Sequence, residues 1–180
     1  NGYAWRSVDY AAGTAVAGKT SLLVADNAAD KIYIYEYDDF SAADNQVNLA
    51  AEKDFTIDGD LIDGAYSFGS YYLLTDGNAS YGAVVAETES GYEFTATSEI
   101  GKYAQITADF LGNLYVMAHD GSVYPVSDFL AGSVGGSISE LRGEVDLAAD
   151  YAGNLYAATP TAVSRMDAAT KVITEYPIDS

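Results

Sequence analysis

The tetrapeptide Gly-Asn-Leu-Tyr occurs at 112–115 and again at 153–156, a displacement of 41 residues. The match extends upstream, where ITADFLGNLY (106–115) aligns with LAADYAGNLY (147–156). Both share an apolar residue, a small pair, Asp, an aromatic, one variable residue, then Gly-Asn. A chain that repeats itself at such a period is built from one supersecondary unit copied along its length. The turn written by Asp-x-x-Gly-Asn then recurs once per unit, with Gly where positive φ is needed and Asp or Asn to hydrogen-bond nearby backbone.

Each copy runs on into a short strand, a turn and another strand. Residues 114–118 lead through His119-Asp120-Gly121 into 122–126, and Asp-Gly between apolar runs predicts a hairpin. Weaker copies lie upstream. Residues 68–74 occupy the same place, with Gly69 lying 43 before Gly112, and Asp76-Gly77 turns into 81–86. Residues 21–24, a turn at Asp26-Asn27 and a strand over 31–37 form an earlier copy. With Leu23, Tyr72, Tyr115 and Tyr156 as equivalents, the steps are 49, 43 and 41.

Strands are expected at 103–108, 114–118, 122–126 and 138–142 in the third unit. An opening inner strand is expected at 6–12, and a closing outer strand at 171–176, before Pro177. No stretch of helical period intervenes. A period of about 40–45 residues with four antiparallel strands per repeat predicts an all-β, β-propeller-like array of four four-stranded blades. The blades lie approximately at 1–56, 57–101, 102–143 and 144–180 of a single domain. Either they close a small ring, or they form part of a larger one completed by another copy or by further sequence.

The line resembles the blades of NHL, YVTN and SMP-30-like propellers, which carry an AxDxxGNLYVxD type of motif, and the propeller segments of large secreted surface proteins. Asp109 and Asp150 match the family's blade aspartate, and Gly112 and Gly153 its turn glycine. In the second unit Tyr66 stands at the aspartate position.

Composition narrows the function classes. Twenty-seven acids against eight bases give a net charge of −19, which disfavours nucleic acid and anionic membranes, both of which are bound through Lys and Arg. Cysteine is absent, so disulfides, thiolate metal sites and cysteine nucleophiles are excluded. No apolar run is long enough to cross a bilayer as a helix. The chain does not open with a basic, apolar leader, and residue 1 is Asn rather than Met, as at a processing site or a boundary.

The single histidine, His119, falls in a hairpin turn, where a preorganised base is not built. Acids cluster in turns, where solvation accounts for them. Assigned by blade topology to the two faces of the array, the carboxylates divide nine to nine and nominate neither. The stretch Asp58-Gly59-Asp60-Leu61-Ile62-Asp63 offers hard oxygen ligands for calcium at Asp58, Asp60 and Asp63, although Ile62 and Asp63 stand where an EF-hand loop requires a ligand and Gly. Along 32–37, Tyr33, Tyr35 and Tyr37 share one side of a strand, where they can pack between blades or offer a stacking platform to a sugar. Trp5 is the lone tryptophan, and Asn78-Ala79-Ser80 is a formal glycosylation sequon.

The expectation is a noncatalytic extracellular or surface-exposed binding or adhesion module. It would present a propeller surface to a glycan or protein partner, either within a homo-oligomer or beside flanking domains. Two alternatives stand beside it: a carboxylate- and divalent-cation-dependent hydrolase or lactonase, and a purely structural spacer or assembly subunit.

Overall fold

A computed structural model describes residues 20–27, 29, 31–37, 47–54, 59–77, 82–96, 100–101 and 103–178. The expected strand over 6–12, Trp5, Asp58 and the 78–80 sequon lie outside the described residues, as does the side chain of Tyr37. Every regular element among the described residues is a β-strand.

Sheet 1 is β1 (Thr20–Asp26), β2 (Lys31–Tyr37) and β3 (Val47–Asp54). Sheet 2 is β4 (Leu61–Ser67), β5 (Ser70–Thr75), β6 (Gly82–Thr88) and β7 (Gly91–Ala96). Sheet 3 is β8 (Tyr103–Ala108), β9 (Leu114–Ala118), β10 (Val123–Asp128) and β11 (Ser133–Val134). Sheet 4 is β12 (Asp146–Ala149), β13 (Leu155–Ala158), β14 (Ala162–Met166) and β15 (Ile173–Pro177). Each is an antiparallel meander whose strands pair in chain order, and the first strands β4, β8 and β12 approach one another in sequence.

Strand period and burial explain how the sheets stack. Successive residues of a strand point to opposite faces, so a sheet flanked on both sides needs apolar side chains at consecutive positions. Strand β9 shows this most clearly. Leu114 and Val116 pack toward sheet 2, Tyr115 and Met117 toward sheet 4, and all four are buried. Tyr71 and Tyr72 divide likewise, Tyr71 packing toward sheet 1 and Tyr72 toward sheet 3. Three apolar clusters result. Leu23, Ala25, Ile32 and Ile34 meet Tyr71, Leu73, Ala83 and Val85 between sheets 1 and 2. Ala65, Leu74 and Val84 meet Ile106, Leu114 and Val116 between sheets 2 and 3. Tyr115, Met117 and Val123 meet Leu147, Leu155 and Ala157 between sheets 3 and 4. Each fully buried Leu, Ile or Val contributes about 1.5–3 kcal/mol.

The repeat equivalents have one structural role. Leu23, Tyr72 and Tyr115 each point into the contact with the following sheet. Inner-strand side chains add polar struts between sheets: Asp63 Oδ2 accepts the Ile106 N–H at 2.9 Å, and Gln105 Nε2 donates to the Val145 carbonyl at 2.9 Å. Asn27 clamps sheet 1 to sheet 2, accepting the Leu61 N–H at 3.0 Å and donating to the Leu61 carbonyl at 3.2 Å.

Three details differ from the sequence expectation. The turn of the second unit is short, because Ser67 pairs directly with Ser70 and the central Phe68 and Gly69 have φ of 45° and 82°. Two central residues at positive φ make a tight hairpin of the type I′ kind, not the five-residue turn of units three and four. The fourth strand of the third unit is β11 rather than 138–142. Pro125 accepts the Gly135 N–H at 2.8 Å but has no N–H to return, so the ladder stops. The chain then continues irregularly, tied by the Ile138 N–H to the Val123 carbonyl at 2.8 Å and by a bridge between Arg142 and Ser122. Finally, pairing does not end before Pro177, which is itself paired with Ala162, and the Ile178 N–H reaches the Thr161 carbonyl at 2.8 Å. An edge strand tolerates proline because no neighbour requires its N–H.

Gly121 closes a three-residue hairpin at φ 80°, and a Cβ there would lie 2.2 Å from the Gly143 carbonyl oxygen. A Cβ at Gly69, also at positive φ, would meet nothing. Gly69→Ala is expected to cost about 1–2 kcal/mol, the ordinary penalty of left-handed backbone. Gly121→Ala should cost distinctly more, because the backbone of the link to sheet 4 must move. Urea denaturation of both variants checks the order, and equal losses would contradict it.

Candidate binding face

Antiparallel meanders place the turns between first and second strands, and between third and fourth, on one face of the array. On this face the two GNLY copies build superimposable turns. Asp109 Oδ1 accepts the Leu111 and Asn113 N–H groups, each at 2.9 Å, while Oδ2 accepts Asn113 Nδ2 at 2.8 Å. Asp150 repeats this, with Oδ1 accepting the Ala152 and Asn154 N–H groups at 2.9 Å and Oδ2 accepting Asn154 Nδ2 at 2.8 Å. Gly112 and Gly153 have φ of 87° and 81°, where only glycine sits without strain. The third-to-fourth-strand turns use the same device. Asp128 Oδ1 accepts the Ala131 N–H at 3.0 Å, and Asp167 Oδ1 accepts the Ala169 and Thr170 N–H groups at 3.1 and 2.9 Å.

These aspartates therefore brace their own turns. What the turns present outward is apolar. Nine large hydrophobic side chains are exposed among the described residues, and six of them, Phe68, Phe110, Leu111, Leu130, Tyr151 and Val172, belong to turns of this one face. Leu111 is 70% exposed and Tyr151 68%. Phe110 and Tyr151 occupy the same position of successive repeats and stack across sheets 3 and 4, with ring centroids 4.2 Å apart. Phe68 lies against Gly112, where a Cβ would come within 2.3 Å of its ring. The result is a ridge of aromatic and aliphatic side chains crossing three sheets.

Charge hid this asymmetry. The sequence assignment of carboxylates favours neither face, whereas the exposed large apolar side chains of the described residues gather mostly on one. The aromatic after each turn aspartate was visible as part of the repeat, but nothing in the spacing said that it faces solvent.

The residues singled out from sequence lie elsewhere. Tyr33 and Tyr35 are half-buried on the face of sheet 1 that points away from sheet 2, their rings 6.5 Å apart and inclined by 27°. The packing of sheet 1 on sheet 2 is made instead by Ile32 and Ile34. Asp60 is exposed, with its N–H donating to Asp76 Oδ1 at 2.8 Å, while Asp63 is the strut to Ile106. Among the described residues no three His, Asp or Glu side chains converge as a cation site. His119 is exposed in its turn.

Electrostatics follow the turn bonds. Burial pushes the Asp150 carboxyl upward, but the bonds from Asn154, Tyr156 and Ala152 outweigh it and hold it below the usual carboxylate range. Asp167 is lowered by its bonds from Thr170 and Ala169, and Asp120 by those from Ser122. The phenols beside the turn aspartates are raised, Tyr115 chiefly by burial with Asp109 adding to it, Tyr156 chiefly by its hydrogen bond to Asp150.

No protein-family model matches the chain, and no curated protein does. Solved structures do match. One is YCF48 bound to a D1 peptide, with a TM-score of 0.56 at 15% identity, covering 86% of this chain and 49% of that one. Another is a protein of unknown function from Bacteroides caccae, with a TM-score of 0.53 at 11% identity, covering 91% of this chain and 58% of that one. The chain thus spans about half the length of these structures. Sequential antiparallel meanders, three of four strands and one of three among the described residues, together with this likeness define an all-β fold of the β-propeller class.

A carboxylate whose pKa is lower folded than unfolded contributes stability above its unfolded pKa, about 3.9, and that contribution is lost as pH falls through the folded value. Asp150→Asn is therefore expected to be less stable than wild type at pH 7, with the gap narrowing below about pH 4, where the wild-type carboxylate protonates too. Melting temperatures between pH 2.5 and 7 test this, and a gap independent of pH would contradict it.

Proposed function

We propose that this chain is a noncatalytic binding module that presents the Phe68, Phe110, Leu111 and Tyr151 ridge to a protein partner. The observation that carries the reading is the segregation of exposed apolar side chains onto one face of the array. Contiguous exposed apolar surface on a folded domain marks interaction sites, and aromatic side chains are over-represented among the residues that dominate binding. The fold likeness to YCF48, whose structure holds a bound peptide, is consistent with it. With a net charge of −19, the chain favours a partner segment with apolar anchors flanked by Lys or Arg, which its field steers toward the surface.

The finer parts of the proposal rest on the sequence. The Asp-x-x-Gly-Asn-Leu-Tyr line supports blades of the NHL, YVTN and SMP-30 kind. Likeness to propeller segments of secreted surface proteins supports an extracellular or cell-surface setting and a role in adhesion. A glycan ligand would use Tyr33 and Tyr35 instead of the ridge.

Selection from a displayed peptide library is the test. Enriched peptides should carry apolar anchors with basic flanks, and their affinity should fall about tenfold or more, 1.4 kcal/mol or above, in Leu111→Ser and Tyr151→Ser. Both side chains are exposed, so the fold should survive. Enriched peptides indifferent to both substitutions would contradict the ridge, and binding on a glycan array lost only in Tyr33→Ser would favour the sugar.

A further inference from the structure

Three non-glycine residues have positive φ among the described residues, Phe68, Glu140 and Lys171, at 45°, 68° and 60°. Phe68 alone of these is aromatic, and a bulky side chain at left-handed φ costs stability that burial or function has to offset. Burial does little here, since Phe68 is 67% exposed. We infer that Phe68 is held in this conformation as an anchor residue of the ridge, where it takes an apolar side chain with an adjoining Lys or Arg on a segment of a partner protein.

The second unit cannot present an aromatic side chain as the later units do. Phe110 and Tyr151 ride on turns braced by Asp109 and Asp150, and neither residue has positive φ. In the second unit Tyr66 occupies the aspartate position and packs edge-on against Tyr71 in the contact with sheet 1, their ring centroids 4.9 Å apart. That position therefore holds no carboxylate to brace a longer turn. Ser67 pairs directly with Ser70, and both residues between them take positive φ. Two-residue turns of this kind favour Asn-Gly or Asp-Gly, yet this chain has Phe-Gly. The Phe68 ring leans across the seam between sheets 2 and 3 onto Gly112, in the turn that carries Phe110 and Leu111.

Charge on this face selects the occupant. The turns of sheets 2 and 3 here, 67–70, 88–91, 109–113 and 128–132, carry Glu89, Asp109 and Asp128 and no Lys or Arg. Glu89 and Asp128 are exposed, while Asp109 is buried and engaged with its own turn. A basic residue next to the partner's apolar anchor is thus attracted by these turns and meets no competing cation within them. A ring carried on a two-residue turn is also held in place before the partner arrives, which lowers the ordering cost of binding.

The inference rests on the reading of the ridge as a binding surface, and two measurements on Phe68→Asn separate them. The substitution writes Asn-Gly, so it should raise the urea midpoint by about 0.3 M as the left-handed penalty falls. A midpoint equal to or below that of wild type would show that the ring serves the fold, and would overturn the anchor without any partner. For binding, the probe is a displayed random-peptide library selected on wild type, with enriched sequences remade as free peptides. These should carry an apolar residue beside Lys or Arg, and their affinity should fall about tenfold or more in Phe68→Asn while Phe68→Tyr, which keeps the ring and its backbone, stays within about threefold of wild type. Affinity unchanged in Phe68→Asn but lost in Leu111→Ser would sink the anchor and leave the ridge standing. Equal losses in Phe68→Asn and Phe68→Tyr, or enriched peptides without Lys or Arg, would also overturn it, and a library that enriches nothing would overturn anchor and ridge together. Self-association of wild type that Phe68→Asn abolishes would assign the ring to a second copy of this chain instead of a partner.

Discussion

Burial of both faces of each inner sheet is the constraint on which the rest depends. A four-stranded meander alone has two apolar faces and no interior, so it gains stability only when neighbours cover it. Sheets 2 and 3 are covered twice, and their second strands are correspondingly apolar at consecutive positions, Tyr71 to Leu74 and Leu114 to Met117. The outer strand β15 shows the converse, with Thr174, Glu175 and Tyr176 all exposed. Stacking also dictates order. Because each cluster joins only consecutive sheets, the described residues build a sequential stack and not a two-layer sandwich.

The turns translate that stacking into a surface. An aspartate whose carboxylate accepts two backbone N–H groups fixes its turn without help from other sheets, so the turn can carry an aromatic side chain outward without unravelling. Repetition then places equivalent aromatics side by side, as Phe110 and Tyr151 show. A binding ridge arises here from local hydrogen bonds and the blade spacing together, and it requires no catalytic or metal-ligating group.

Much of the fold was legible in the sequence because it depends on local pattern. The strands at 103–108, 114–118 and 31–37 coincide with the apolar runs between turn residues. Misreadings came where one residue overrides the pattern. Pro125 truncates the fourth strand of the third unit by lacking an N–H, and Phe68-Gly69 replaces a five-residue turn by a two-residue one. The ridge was less legible, since alternation tells which side chains share a face but not which face a neighbour covers. The tyrosines of β2 illustrate this: their shared side was evident, while the isoleucines between them make the contact with sheet 2.

The most direct measurement of the stacking order is a set of nuclear Overhauser contacts in the methyl-labelled protein. Ile34 to Leu73, Leu74 to Val116, and Met117 to Leu155 should be observed, each linking one sheet to the next. Contacts from Ile34 to Leu155, or from Leu73 to Ala157, would instead place non-consecutive sheets face to face and contradict the sequential array.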